Sequence, residues 1–235
     1  MINKENILFG VVGLLAGLIV GFMFANSVNQ GAGGGNAGTF AANTMPAGHP
    51  PVPGSEAPGG QGMQNVPEVQ AAIDKARAEP NNFDAQLKAA EFYYQIQRFE
   101  GALEFLKQAN KLQPDNYDVQ VHMGNAYFDS GKYDEAEKWY NTALAKKPDD
   151  VSVRTDLGLT YIFRENPDYD RAIKEFTTSL EKEPNHPQTL QNLVVAYTKK
   201  KDTAKANETL AQLEAMDPTN TTIAKLREEI QALGK

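Results

Sequence analysis

Five prolines pace this chain from residue 80 onward. Pro80, Pro114, Pro148, Pro184 and Pro218 are separated by 34, 34, 36 and 34 residues. A fixed period of this length is the signature of stacked supersecondary units, each too small to bury its own apolar side. Aligned on the prolines, the units agree residue by residue. Ala90, Gly124 and Gly158 share one register, with Val194 in the fourth unit. Tyr93, Tyr127, Tyr161 and Tyr197 share a second, and Ala102, Ala136, Ala172 and Ala206 a third. Leu106, Tyr140, Phe176 and Leu210 follow four residues later.

These patterns predict pairs of helices. In the second unit, 117–129 and 133–146 each read as one helix, with Gly131 in the turn where a permissive backbone is needed. Small residues such as Gly124 and Ala136 let the two helices approach, and Tyr127 and Tyr140 fill the space around the contact. Each proline ends a second helix and pushes the preceding residue out of helical angles. Asp115, Asn116, Asp149, Asp150, Asn185 and Asn220 follow the prolines, where their side chains are expected to cap the next helix.

Met123-Gly124-x-x-Tyr127 with Ala136-x-x-x-Tyr140 and Pro148, and Leu157-Gly158-x-x-Tyr161 with Ala172-x-x-x-Phe176 and Pro184, make the run resemble a tetratricopeptide repeat (TPR) array. The family's tryptophan is replaced by Gln86, Gln120, Arg154 and Leu190. The resemblance implies an all-α fold, a right-handed superhelix of four units over 83–116, 117–150, 151–186 and 187–220. A lone helix over 66–82 and an amphipathic one over 221–235 then read as end caps. Two extra residues near 164–168, beside the Asn166-Pro167-Asp168 turn signal, lengthen one loop of the third unit.

The first 65 residues have a different character. Residues 7–25 carry no charge, and as a helix they would span about 28 Å, close to a bilayer's hydrocarbon core. A cleavable signal peptide is the rival reading, with Ala25 and Ser27 before the cut. The apolar run exceeds the usual signal core, which favours a retained single-pass anchor. Lys4 and the amino terminus place the small positive excess on the N-terminal side, so that end is expected in the cytoplasm and the repeats in the periplasm or outside the cell. This expects an inner-membrane location. Gly13, Gly17 and Gly21 line one face of that helix, a groove for packing against a second copy. Residues 26–65, rich in Gly, Ala, Pro and Asn with only Glu56 charged, read as a disordered tether.

Composition narrows the function. The formal net charge of −7 disfavours nucleic acid as a partner. Without cysteine there is no thiolate catalysis, thiolate metal site or disulfide. His49, His122 and His186 lack partners at metal-ligand spacing, and no phosphate loop or nucleophile motif is present. No catalytic residue, metal site or cofactor is expected, and the chain does not read as an enzyme.

The resemblance implies a partner-binding groove lined by the first helices. By register it would comprise Leu87, Glu91, Tyr94, Val121, His122, Asn125, Phe128, Thr155, Ile162, Phe163, Gln191, Val195 and Lys199, with Leu159 expected in the core between repeats. Of the positions at which some family members clamp a carboxylate terminus, only Asn125 matches, while Leu87, Ser152 and Asp156 depart from the pattern. The implied function is a membrane-anchored adaptor for a protein or peptide in envelope assembly. The chain is similar in this to envelope TPR proteins, including modules of cytochrome c maturation systems. A self-associating structural membrane protein is the alternative.

Overall fold

The computed structural model describes residues 67–233, and every regular element among them is a helix. A leading helix, α1 (Pro67–Ala78), is followed by four pairs. The pairs are α2 (Phe83–Gln95) with α3 (Phe99–Leu112), and α4 (Tyr117–Asp129) with α5 (Tyr133–Lys146). Next come α6 (Val151–Phe163) with α7 (Tyr169–Lys182), and α8 (Pro187–Lys199) with α9 (Thr203–Met216). Helix α10 (Ile223–Ala232) closes the stack. Among the described residues no helix is long and apolar enough to cross a membrane. The expected span over 7–25, its Gly13, Gly17 and Gly21 face and the tether over 26–65 lie outside the described residues.

The helix ends follow from local chemistry. Gln113, Lys147, Glu183 and Asp217, each directly before a proline, leave helical angles with ψ of 77°, 79°, 85° and 77°. Proline's ring excludes the helical region at the preceding residue, so each second helix stops there. Asn116 and Asp150 cap α4 and α6, accepting from the amides of Val119 and Val153 at 3.1 and 2.9 Å. Asp115 and Asp149, expected as caps, instead accept from Lys146 and Lys182 of the following repeats at 2.6 and 2.7 Å. Asn185 does not cap α8. His186 does, its imidazole accepting from the amide of Thr189 at 3.3 Å. Asn220 accepts from the amide of Thr222 at 3.0 Å, just before α10.

Within each pair, size complements size. A Cβ added at Gly124 would lie 2.5 Å from the Tyr140 ring, and one at Gly158 would lie 2.4 Å from the Phe176 ring. Tyr140 and Phe176 are both fully buried, so each ring occupies the space a side chain on the first helix would need. In the first and last pairs the roles change. Ala90 faces the smaller Leu106 and Val194 the smaller Leu210, all of them buried.

The turns repeat too. Gln97, Gly131 and Lys201 share one register and all adopt left-handed angles, with φ of 57°, 75° and 63°. The turn is closed in each case by an amide bonding to the tyrosine carbonyl of the first helix, such as Lys132 N–H to Tyr127 O at 2.9 Å. In the third unit the two extra residues replace the left-handed residue. Asp168 then donates to the carbonyl of Tyr161 at 2.8 Å, so the longer loop returns the chain to the same point.

Residues at the family's tryptophan position also have a job. Gln86 donates to the Ala76 carbonyl at 2.6 Å, Gln120 to that of Pro114 at 2.8 Å and Arg154 to that of Pro148 at 2.7 Å. Each satisfies a carbonyl at the end of the preceding second helix, where helical partners run out. Leu190, in the fourth unit, is buried as an apolar side chain instead.

Candidate functional site

Between successive pairs, the first helices α6 and α8 come into direct contact. Side chains stitch them together. The Tyr94 hydroxyl of α2 donates to the Asp129 carboxylate of α4. Phe128 of α4 meets Phe163 of α6 edge to face at 5.8 Å. Thr155 of α6 shares a hydrogen bond with Thr189 of α8 at 2.7 Å. These contacts join the first helices into one continuous wall.

The residues expected to line that wall fall into three groups. Val121, Asn125, Phe128, Thr155 and Ile162 are buried, as is Leu159 at 1% exposure. Leu87, Glu91, Tyr94, His122, Phe163, Gln191 and Val195 are half-buried. Lys199 is exposed. Several are already engaged. Phe128, Tyr133 and Phe163 form one aromatic cluster with centroids 5.3 to 6.2 Å apart. Asn125, the single match to a carboxylate clamp, accepts from the Tyr140 hydroxyl at 2.8 Å and so braces its own repeat. Thr155 also donates back to the Val151 carbonyl at 2.7 Å. Glu91 lies 3.4 Å from Lys88, and burial outweighs that lysine in raising its pKa. Gln191 accepts from the Thr222 hydroxyl at 3.2 Å, linking the wall to the segment before α10.

The wall's electrostatics centre on Asp129 and Asp156, which are not among the lining residues expected by register. Asp129 has its pKa pushed up to about 6, because burial outweighs the hydrogen bond from Tyr94 that would lower it. Asp156 is driven well above the carboxylate range by burial first, then by the charges of Asp129 and Asp150. Tyr94 is raised well above its usual value by its own burial, then by Asp129 and Asp156. His122 is held below the usual imidazole value by burial, against the opposing charge of Asp118.

Polar atoms without partners concentrate in the same region. Ser152 and Asp156 of α6, and Gln188 and Asn192 of α8, each hold a buried side-chain atom with no hydrogen-bond partner. Ser152 and Gln188 share one register, and Asp156 and Asn192 another. A signal for them exists in the sequence. Both registers are polar in every repeat, Asp84, Asp118, Ser152 and Gln188 in one and Lys88, His122, Asp156 and Asn192 in the other.

Elsewhere, a hollow of about 500 Å³ opens between α1, the start of α2 and α3, bordered by Arg77, Glu104, Lys107 and Lys111. It lies on the second-helix side of the stack. Among the described residues no cluster of His, Cys, Asp or Glu could hold a metal ion.

A tetratricopeptide repeat family model matches residues 97–155 and 163–230, more than half of the chain. The chain belongs to the tetratricopeptide repeat family. Solved structures share this TPR fold at low identity. A crystal structure of MamA matches with a TM-score of 0.59 and 21% identity, over 71% of this chain and 91% of that one. YrrB, described as a TPR protein with an unusual peptide-binding site, matches with a TM-score of 0.60 and 17% identity, over 72% and 88% of the two chains. PilW, described as a type IV pilus biogenesis factor, matches with 0.59 and 19%, over 74% and 83%. No curated protein sequence matches. At these identities the likeness carries the TPR fold and nothing of the partners.

Proposed function

We propose that this TPR chain is a non-catalytic adaptor that holds a protein or peptide segment against its first-helix wall. Its apolar segment 7–25 tethers it to the inner membrane through the linker 26–65, with the repeats on the periplasmic side. It serves the assembly of an envelope complex there. The observation that carries the binding is the row of half-buried side chains along the first helices, Leu87, Glu91, Phe163, Gln191 and Val195 among them, which keep part of their surface open to a partner. The relatives' described roles, a peptide-binding site in YrrB and pilus biogenesis for PilW, agree in kind with this reading. The membrane placement rests on the uncharged stretch 7–25 and the single positive Lys4 before it.

Site-specific cross-linking tests the wall. A photo-reactive residue at Val195, half-buried on α8, should trap a partner in membranes. The same residue at Thr177, exposed on the second helix α7, should not. Adducts from position 177 alone, or equally from both, would move the partner surface away from the first helices.

A further inference from the structure

We infer that the hollow between α1, the start of α2 and α3 is a docking site for an acidic segment of a partner protein, one with successive glutamate or aspartate side chains. Arg77, Lys107 and Lys111 receive its carboxylates. The hollow lies on the second-helix side of the stack, so the inference stands whatever fills the first-helix wall.

Three observations lead there. The first is room. The hollow holds about 500 Å³, enough to take a few side chains, and Ala76 and the buried Phe105 give its lining an apolar part. The second is uncommitted charge. Arg77, Lys107 and Lys111 are all exposed, and none of them forms an ion pair or donates a side-chain hydrogen bond among the described residues. Lys107 lies 5.9 Å from the centroid of the Tyr127 ring, a contact that takes none of its three donors. Of the two acids in the lining, Glu100 is held by Lys132 at 2.6 Å. Glu104 is left, so one unanswered acid stands beside three unanswered cations.

The third is the contrast with the next two junctions. There Asp115 receives Lys146 and Asp149 receives Lys182, at 2.6 and 2.7 Å. Asn81 stands at the register of those two aspartates and brings no charge. Basic side chains near a helix C-terminus commonly satisfy its last carbonyls. At the end of α1 neutral amides do this instead. Gln86 donates to the carbonyls of Ala76 and Glu79 at 2.6 and 3.2 Å, and Gln108 to that of Pro80 at 2.9 Å. Arg77, in the last turn of α1, is thereby spared for a ligand. A guanidinium matches a carboxylate through two parallel hydrogen bonds, and lysines beside it act as point charges. The formal charge of −7 on the whole chain opposes an acidic segment only weakly at this site. Exposed charges more than about 8 to 10 Å away are largely screened at physiological salt.

The test uses the full-length protein in micelles of an uncharged detergent and a short labelled peptide with three consecutive glutamates. The same peptide with three glutamines serves as comparison, and binding is followed by fluorescence anisotropy. At low salt the glutamate peptide should bind about tenfold or more tightly, and the gap should narrow as salt rises. Arg77→Gln combined with Lys111→Gln should remove most of that preference. Lys138→Gln combined with Lys174→Gln takes the same charge from exposed sites on α5 and α7 and should leave the preference unchanged. Glu104→Gln should strengthen binding of the glutamate peptide about twofold. Equal binding of the two peptides to the unaltered protein overturns the site, as does absence of binding by both. Equal loss in the two double variants also overturns it, by reducing the effect to overall charge. Displacement of the peptide by free glutarate at equal molar concentration overturns the protein partner in favour of a small dicarboxylate. The wild-type comparison decides the matter even if a variant fails to fold.

Discussion

The second and fourth repeats share one backbone design and solve it with different residues. In the second, Gly124 lies under the Tyr140 ring, Gln120 bonds to the preceding proline carbonyl, Asn116 caps the first helix and Gly131 forms the turn. In the fourth, Val194 meets Leu210, Leu190 is simply buried, His186 is the cap and Lys201 takes the left-handed turn position. What the family's spacing fixes is the geometry of the pair. Volume, hydrogen bonding and charge are then balanced locally, so a residue good in one repeat is poor in the next. That contrast can be broken in four places.

The largest effect is expected in the small-large pairing. Gly158→Ala and Gly124→Ala should each lower stability by about 2–3 kcal/mol, because the new methyl meets a buried ring held on all sides. Pairing Gly158→Ala with Phe176→Leu should recover part of the loss, since the added methyl then meets a smaller neighbour. In the fourth repeat the sense reverses: Val194→Ala should cost about 1–2 kcal/mol by leaving a cavity. Urea unfolding of each variant reads both signs. Equal tolerance of alanine at all three positions would show that the pairing is not a packing constraint.

The second is electrostatic and belongs to the second repeat. Asp129 has a folded pKa of about 6, above its usual 3.8, so the folded state holds its proton more tightly than the unfolded state. Stability is therefore greatest at low pH with respect to this group and declines as pH rises from about 4 to 6. The decline should be on the order of 2 kcal/mol, and Asp129→Asn should flatten it. Thermal unfolding across that pH range measures it. A slope unchanged in the variant would assign the decline to other acids, Asp156 first among them.

Caps give the third. Asn116→Ala should cost about 1 kcal/mol at any pH between 5 and 8. His186 must be neutral to accept from the amide of Thr189, and burial lowers its pKa from 6.5. Its contribution is thus present above pH 6.5 and is lost as pH falls through the lower folded value. His186→Ala should cost about 1 kcal/mol at pH 8 and less in acid. Hydrogen exchange at the Thr189 amide reports this cap alone.

The smallest effect lies in the turns. Lys201→Gly should gain up to about 1 kcal/mol, because glycine adopts the left-handed angle without strain. Gly131→Ala should lose a similar amount, although no atom lies within 4 Å of the added methyl. If both changes are neutral, the turn is held by its tyrosine-carbonyl hydrogen bond rather than by residue preference.

Much of the fold was legible. The proline period, the small residue facing a large one and the amphipathic ends lead to stacked pairs, and the helices at 117–129 and 133–146 have the bounds the pattern implies. Among neighbouring Asp and Asn residues the sequence did not tell cap from ion-pair partner. Asn116 caps while Asp115 reaches Lys146, because only the residue adjoining the helix has its oxygen within reach of the exposed amides. His186 was not among the expected caps, yet burial favours the neutral form of its imidazole, which can accept.

The wall was legible as a list of positions and not as chemistry. Register placed Asn125 on it, but not the Tyr140 hydroxyl that occupies its oxygen. Asp156 and Asn192 were not singled out as a pair. Their meaning depends on what surrounds them, and a polar residue on a helix face is ordinary until its neighbours exclude water.

The sequence by itself determined that helices form, where they end and that they must stack, because those outcomes depend on spacing along the chain and on residues within a turn of one another. The tertiary structure decided which polar groups find partners, which acids lose their solvent and which rings meet across repeats. Those depend on side chains 24 to 35 residues apart in the chain meeting across helices, which only the packing of the stack brings together.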